Sequence, residues 1–225
     1  MLVDLCILPG CIDSHMHLWE TGFTARSDFR DATLASIAGG VTTIIDQPLT
    51  LPEVLNSEII NQKVSLGEKT SYTDFALHGG VGLENLEDLE GLWQAGCTAF
   101  KIFMYESGSA IAGLDDGRIL AALQKIGSFG GNAIVHAENN DMLIHNRKIL
   151  DEAGRVDPMA FVEWRPPEAE YEAINCIVHL AETTGTRLAV LHTTLPEGVD
   201  LINQARQRGV DVWVETCPHN LLLNP

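Results

Sequence analysis

Positive charge is scarce in this 225-residue sequence: 14 lysines and arginines stand against 31 acidic residues, a formal net charge of −17. Such a surface repels phosphate backbones and anionic headgroups, which argues against nucleic acid and membranes as partners. Long apolar runs are missing too; none approaches the roughly 18 residues a membrane span needs. The opening MLVDLCILPG carries an aspartate and no basic leader, so it does not read as an export signal. Cysteines are few and odd in number (Cys6, Cys11, Cys97, Cys176 and Cys217), and none form a CxxC pair. That argues against a disulfide framework and points to a reducing, cytoplasmic setting. A GxGxxG turn is also absent, which counts against a dinucleotide-binding Rossmann sheet.

What is present is a rhythm. A helical stretch closes on glycine and a β-branched run follows: GG-VTTIID (Gly39 to Asp46), G-CTAFKIF (Gly96 to Phe103), GG-NAIVHAE (Gly130 to Glu138), G-TRLAVLH (Gly185 to His192) and G-VDVWVET (Gly209 to Thr216). Glycine suits the left-handed residue that ends a helix, and the apolar runs suit strands buried on both faces. CIDSHMH and DFALHGGV add two more strands. Helical patterns are clearest over Phe29 to Ala38, Asn85 to Ala95, Gly117 to Ile126, Glu168 to Thr184 and Glu197 to Arg208. The second carries Gly91, a weakening residue. The longest gap between strands, around Asn139 to Pro167, reads as a helix plus a loop over the mouth of the sheet. Seven βα units in alternation predict an α/β fold with a parallel sheet. The expected architecture is a TIM-like (β/α)8 barrel, which takes about 250 residues, truncated here after about seven units. Residues 1–225 are read as one incomplete barrel domain. Strands one and seven should then have unpaired edges and invite association.

Chemistry collects at strand ends. His15 and His17 close the first strand, His136 the fifth and His192 the sixth. In a barrel these ends form one rim, where active sites lie. Two residues apart on a strand, His15 and His17 point the same way and can pinch one metal ion. Any one histidine reads equally well as a hydrogen-bonded core or loop residue; four on one rim do not. His145 and His179 fall on helices and read as surface or packing residues; His78 suits a supporting role, and His219 the mouth. Lys101 lies inside the apolar AFKIFM. Alone it reads more readily as a lysine whose stem packs and whose head reaches water. If buried, its ammonium pKa falls, and the neutral amine can take up carbon dioxide as a carbamate.

These segments resemble a known family. PGCIDSHMH resembles the PGxIDxHxH opening of the amidohydrolase superfamily, and GGVTTIIDQPLTLP the GGxTTxxDMPLNxxP segment of allantoinases. AFKIFM resembles the strand bearing a carboxylated lysine. AIVHAEN, VEWRPPEAEYEAI, LAVLHTT and VETCPHNLLL resemble segments of allantoinases, hydantoinases and dihydroorotases, in the same order. The resemblance runs from about Pro9 to the last residue. It implies two divalent metal ions, with zinc expected and iron, cobalt or manganese chemically acceptable. His15 and His17 would hold one ion, His136 and His192 the other, and carboxylated Lys101 would bridge them. It also implies a homo-oligomer, dimer or tetramer, when complete. Three departures accompany it. The aspartate that ends the family's eighth strand, a metal ligand and proton shuttle, would lie beyond Pro225. The small β-sandwich built from both termini is not represented. Hydantoinases carry an oxyanion-stabilising tyrosine five residues after the lysine, whereas Tyr105 is four after it, in FMYESGS.

The implied function is metal-dependent opening of a cyclic amide, a small-molecule ureide. DQPLTLP and RPPEAEYEAI lean towards allantoin as substrate, giving allantoate. Hydantoinase or dihydropyrimidinase activity is the alternative, from the likeness of FKIFMY. Dihydroorotase activity would need a cation near His17, for which Arg26 in LWETGFTAR is the candidate. A non-catalytic dihydropyrimidinase-like scaffold is a reading of another class; the ligand-type residues kept here argue against it. A mononuclear deaminase of the same superfamily is disfavoured by Lys101. The chain by itself is expected to be a poor catalyst.

Overall fold

The computed structural model describes residues 6–106, 108 and 111–223. Residues 1–5, where an export signal would begin, and the last two residues of LLLNP lie outside them. All strand pairs are parallel. One sheet has the order β1 (Cys11–Met16), β2 (Val41–Asp46), β3 (Asp74–Leu77). The other runs β4 (Gly79–Gly80), β5 (Phe100–Phe103), β6 (Asn132–His136), β7 (Arg187–Val190), β8 (Val212–Val214). β3 and β4 are one run interrupted at His78. The His78 N–H donates to the Asp46 carbonyl on the β2 side (2.9 Å), and the next N–H, of Gly79, donates to Ala99 beside β5 (2.9 Å). The seven sequence-predicted strands therefore make one continuous parallel arc. Among the described residues β1 and β8 do not pair, so the arc is not a closed barrel.

Burial follows from this. β5, in mid-arc, is buried at all four positions. β8 is not the doubly buried strand expected, since Trp213 is 56% exposed; at the other end Ile12 on β1 is 68% exposed. Each has a neighbour on one side only.

Helices cover the outer face. Asp28, Asn56, Asp115 and Asn139 cap α1 (Phe29–Ala38), α2 (Ser57–Thr70), α4 (Asp116–Ser128) and α5 (Asn140–Glu152), each side chain accepting a first-turn N–H. Between them lies the short α3 (Leu89–Gln94). α6 (Pro158–Trp164), α7 (Pro167–Thr184), α8 (Pro196–Gln207) and α9 (Pro218–Leu222) each begin on proline, whose fixed φ suits a first turn. α7 ends on Gly185 at φ 69°. The core lies between strands and helices, with Phe100, Ile102, Val135 and Val190 facing Ile119, Leu123, Ile174 and Ile177. Each such burial contributes roughly 1.5–3 kcal/mol.

Three segments differ from expectation. α2 was not among the predicted helices, because its buried positions are Ile60, Lys63 and Gly67, and a lysine and a glycine break the apolar stripe. Gly67 is needed there: a Cβ would meet the Phe75 ring at 2.5 Å. The stretch from Asn85 is a 3-10 turn at Leu86–Asp88 followed by the short α3. The long segment after His136 holds two helices, α5 and α6, rather than one helix and a loop. Among the described residues no helix is long and apolar enough to cross a membrane. All five cysteines are free thiols.

Candidate active site

The strand ends of the arc surround a cavity of about 480 Å³. β1 delivers His15, with His17 one residue past its end. Lys101 comes from β5, Tyr105 from just after it, His136 from the last position of β6 and His192 from two residues beyond β7. All six line this one cavity. Ring centroids lie 5.4 Å apart for His15 and His17, 5.5 Å for His15 and His192, and 4.4 Å for His136 and His192. The Tyr105 ring is 4.6 Å from that of His136. Trp19, Phe23, Leu49 and Phe103 supply apolar wall, and Trp19 stacks on His17.

Burial sets the electrostatics. Desolvation, assisted by neighbouring cations, lowers His17 to about 4 and His136 well below its ordinary value. His192 falls to about 2, through desolvation first and His136 second. Lys101 is 1% exposed, so the solvent-reaching alternative is not what the fold adopts. Desolvation brings its amine to about 7, with Glu215 opposing. Tyr105 is pushed up by burial, against the pull of Arg165, so its phenol keeps its proton.

Two carboxylates reach the histidines. The Glu215 Oε2 accepts from His15 Nδ1 at 2.6 Å, and the Glu138 Oε2 lies 2.5 Å from His136 Nε2. Arg165 also donates to Glu138 at 2.7 Å and covers the Tyr105 ring at 4.7 Å. Burial works to raise the Glu215 pKa, but hydrogen bonds from His15 and the His192 backbone leave it below the ordinary value. Glu138 is raised, by burial, despite Arg165.

The donor set fits a divalent metal ion in its chemistry: three imidazoles, His17, His136 and His192, that burial disfavours protonating, an amine brought to about 7, and a buried His17 Nδ1 with no hydrogen-bond partner. As placed, the side chains are not a closed coordination set; among the described residues no three His, Cys, Asp or Glu side chains converge tightly enough to hold an ion.

The other histidines lie apart from this cavity. His145 and His179 are exposed on α5 and α7. His219 lines a neighbouring cavity with His136, Glu138, Arg165 and His192. His78 is buried outside the cavity and engages Thr98 Oγ1 at 2.9 Å and the Ser14 carbonyl at 3.4 Å. Arg26 does reach the cavity, its guanidinium 4.4 Å from the Trp19 ring. Sequence reasoning missed Glu215, Glu138 and Arg165. Glu215 had a legible signal, since it follows an apolar strand at the same rim as the histidines.

No family model matches the sequence. Individual relatives do. The chain is 35% identical over 220 residues to an allantoinase of Rubrobacter xylanophilus, covering 97% of this chain and 48% of that protein. It is 34% identical over 226 residues to an allantoinase of Salmonella paratyphi B, covering 98% and 50%. Among solved structures, L-hydantoinase (dihydropyrimidinase) from Arthrobacter aurescens superposes with a TM-score of 0.93 at 32% identity, over 96% of this chain and 48% of that one. D-hydantoinase from Bacillus sp. AR9 gives 0.86 at 34% identity. The chain spans about half the length of the relatives it matches.

Proposed function

We propose that this homologue of the allantoinases and hydantoinases, in the amidohydrolase family, supplies the metal-holding part of an enzyme that hydrolyses a ring C–N bond of a cyclic amide. Residues 1–225 are read as one incomplete domain, about the first seven units of a (β/α)8 barrel, acting as a homo-oligomer in the cytoplasm. The observation that carries the reading is the convergence of His15, His17, Lys101, His136 and His192 on one cavity, where burial lowers the pKa values of His17, His136, His192 and Lys101.

His15 and His17 would hold one divalent ion, His136 and His192 a second, with zinc expected. Lys101 would join them after its neutral amine adds to carbon dioxide as a carbamate. When bound, the ions supply a hydroxide nucleophile near neutral pH and polarise the amide carbonyl. The chain's own residues do the rest. Trp19, Phe23 and Phe103 exclude water and give a flat ring an apolar seat. Tyr105, protonated and facing the cavity, can donate to an oxygen on which charge develops.

Allantoin is the substrate proposed, with hydantoins and dihydropyrimidines as the nearest alternatives. The test is turnover by the full-length protein, loaded with Zn²⁺, of allantoin, hydantoin, dihydrouracil and dihydroorotate. Ring opening of allantoin fastest is expected. Dihydroorotate cleaved about tenfold faster than the others, a gap of ~1.4 kcal/mol, would overturn the substrate choice. No turnover of any would favour a non-catalytic scaffold.

A further inference from the structure

Glu215 follows β8 at the open end of the arc, and its carboxylate gathers three elements. Oε2 accepts from His15 Nδ1 (2.6 Å) and from the His192 backbone N–H (3.2 Å), while Oε1 accepts from the Ser14 hydroxyl (3.3 Å). One side chain thus links the ends of β8, β7 and β1, although β8 and β1 share no backbone bond among the described residues. His192 also has φ 37°, a left-handed backbone that is unfavourable for a non-glycine residue and needs support. The bond from Glu215 is made at that residue.

An ionised carboxylate only accepts, so the His15 nitrogen facing it must carry the proton. The ring is then fixed in one tautomer, with the lone pair on Nε2, the nitrogen away from Glu215. A histidine that binds metal through one nitrogen is regularly oriented this way through the other. We propose that Glu215 is a positioning residue: it sets the tautomer and rotation of His15 and anchors His192, so that histidines from two strands not adjacent in the arc present lone pairs to one cavity. This rests on the metal-binding reading above.

The test compares wild type, E215Q and E215A in the full-length protein, stripped of metal and titrated with Co²⁺. Visible absorption reports the ligand field, and thermal melting of the metal-free forms is followed in parallel. A 10- to 100-fold weaker Co²⁺ affinity and an altered spectrum are expected for E215A, with a smaller loss for E215Q, which keeps an acceptor oxygen. Melting of metal-free E215Q should stay near wild type. If E215A fails to fold, E215Q decides, by its own affinity and spectrum. Variants that bind Co²⁺ as wild type does, or lose it only in step with melting, overturn the assignment. A wild type that binds no Co²⁺ overturns the metal reading and this inference with it.

Discussion

Lys63 on α2 lies 2.5 Å from Asp46 at the end of β2, with side chains 2% and 0% exposed. The other Asp46 oxygen accepts from the Leu18 N–H at 2.9 Å, directly after His17. The pair thereby holds the turn that leads out of the first histidine pair. Removing one partner strands a buried charge, which typically costs ~3–5 kcal/mol. Lys63→Met should lower stability by about that amount in urea unfolding, and Lys63→Met with Asp46→Asn should recover part of it. A single variant as stable as wild type would show that the pair contributes little.

His78 makes stability pH-dependent. Burial holds its folded pKa at about 4, against an ordinary 6.5. Between these values the unfolded chain binds more protons than the folded one, so stability falls as pH falls through that window. A shift of that size corresponds to ~3 kcal/mol at most. Metal-free wild type should lose stability from pH 6.5 to 4, and His78→Gln should flatten part of that loss. Equal slopes for the two proteins would remove His78 from the account.

Lys101→Ala should lose the bridge and most bound metal, and His136→Ala mainly one of two ions, both read by elemental analysis of the full-length protein. Two tightly held ions in Lys101→Ala would refute the carbamate. Unchanged metal content and turnover in His136→Ala would refute the assignment at the end of β6.

Arg26 lies on the Trp19 face at the cavity and has no carboxylate partner among the described residues. A guanidinium so placed can grip acceptor oxygens on a ring substituent. Arg26→Met should reduce kcat/KM for allantoin relative to unsubstituted hydantoin by roughly tenfold, ~1.4 kcal/mol. An unchanged ratio would leave Arg26 as a packing residue.

Much was legible in the chain itself. The order of strands, the helices with clean apolar stripes, and the histidines at strand ends all follow from local pattern, because periodicity and caps act over a few residues. What local pattern could not resolve was α2, whose inward face carries Lys63 and Gly67. Lys63 is tolerated only because Asp46 waits across the interface, and Gly67 only because Phe75 fills its space.

By itself, the sequence determined the parallel α/β alternation and placed His15, His17, Lys101, His136 and His192 in its strands, since these are written in type and spacing; Tyr105 came through the family likeness. Only the tertiary structure decided that Lys101 is wholly buried, that Arg26 reaches the cavity, and that Glu215, Glu138 and Arg165 surround the histidines. These facts join residues up to 200 positions apart, as His15 and Glu215 are. Desolvation and hydrogen bonding depend on such neighbours, which exist only once the strands lie side by side.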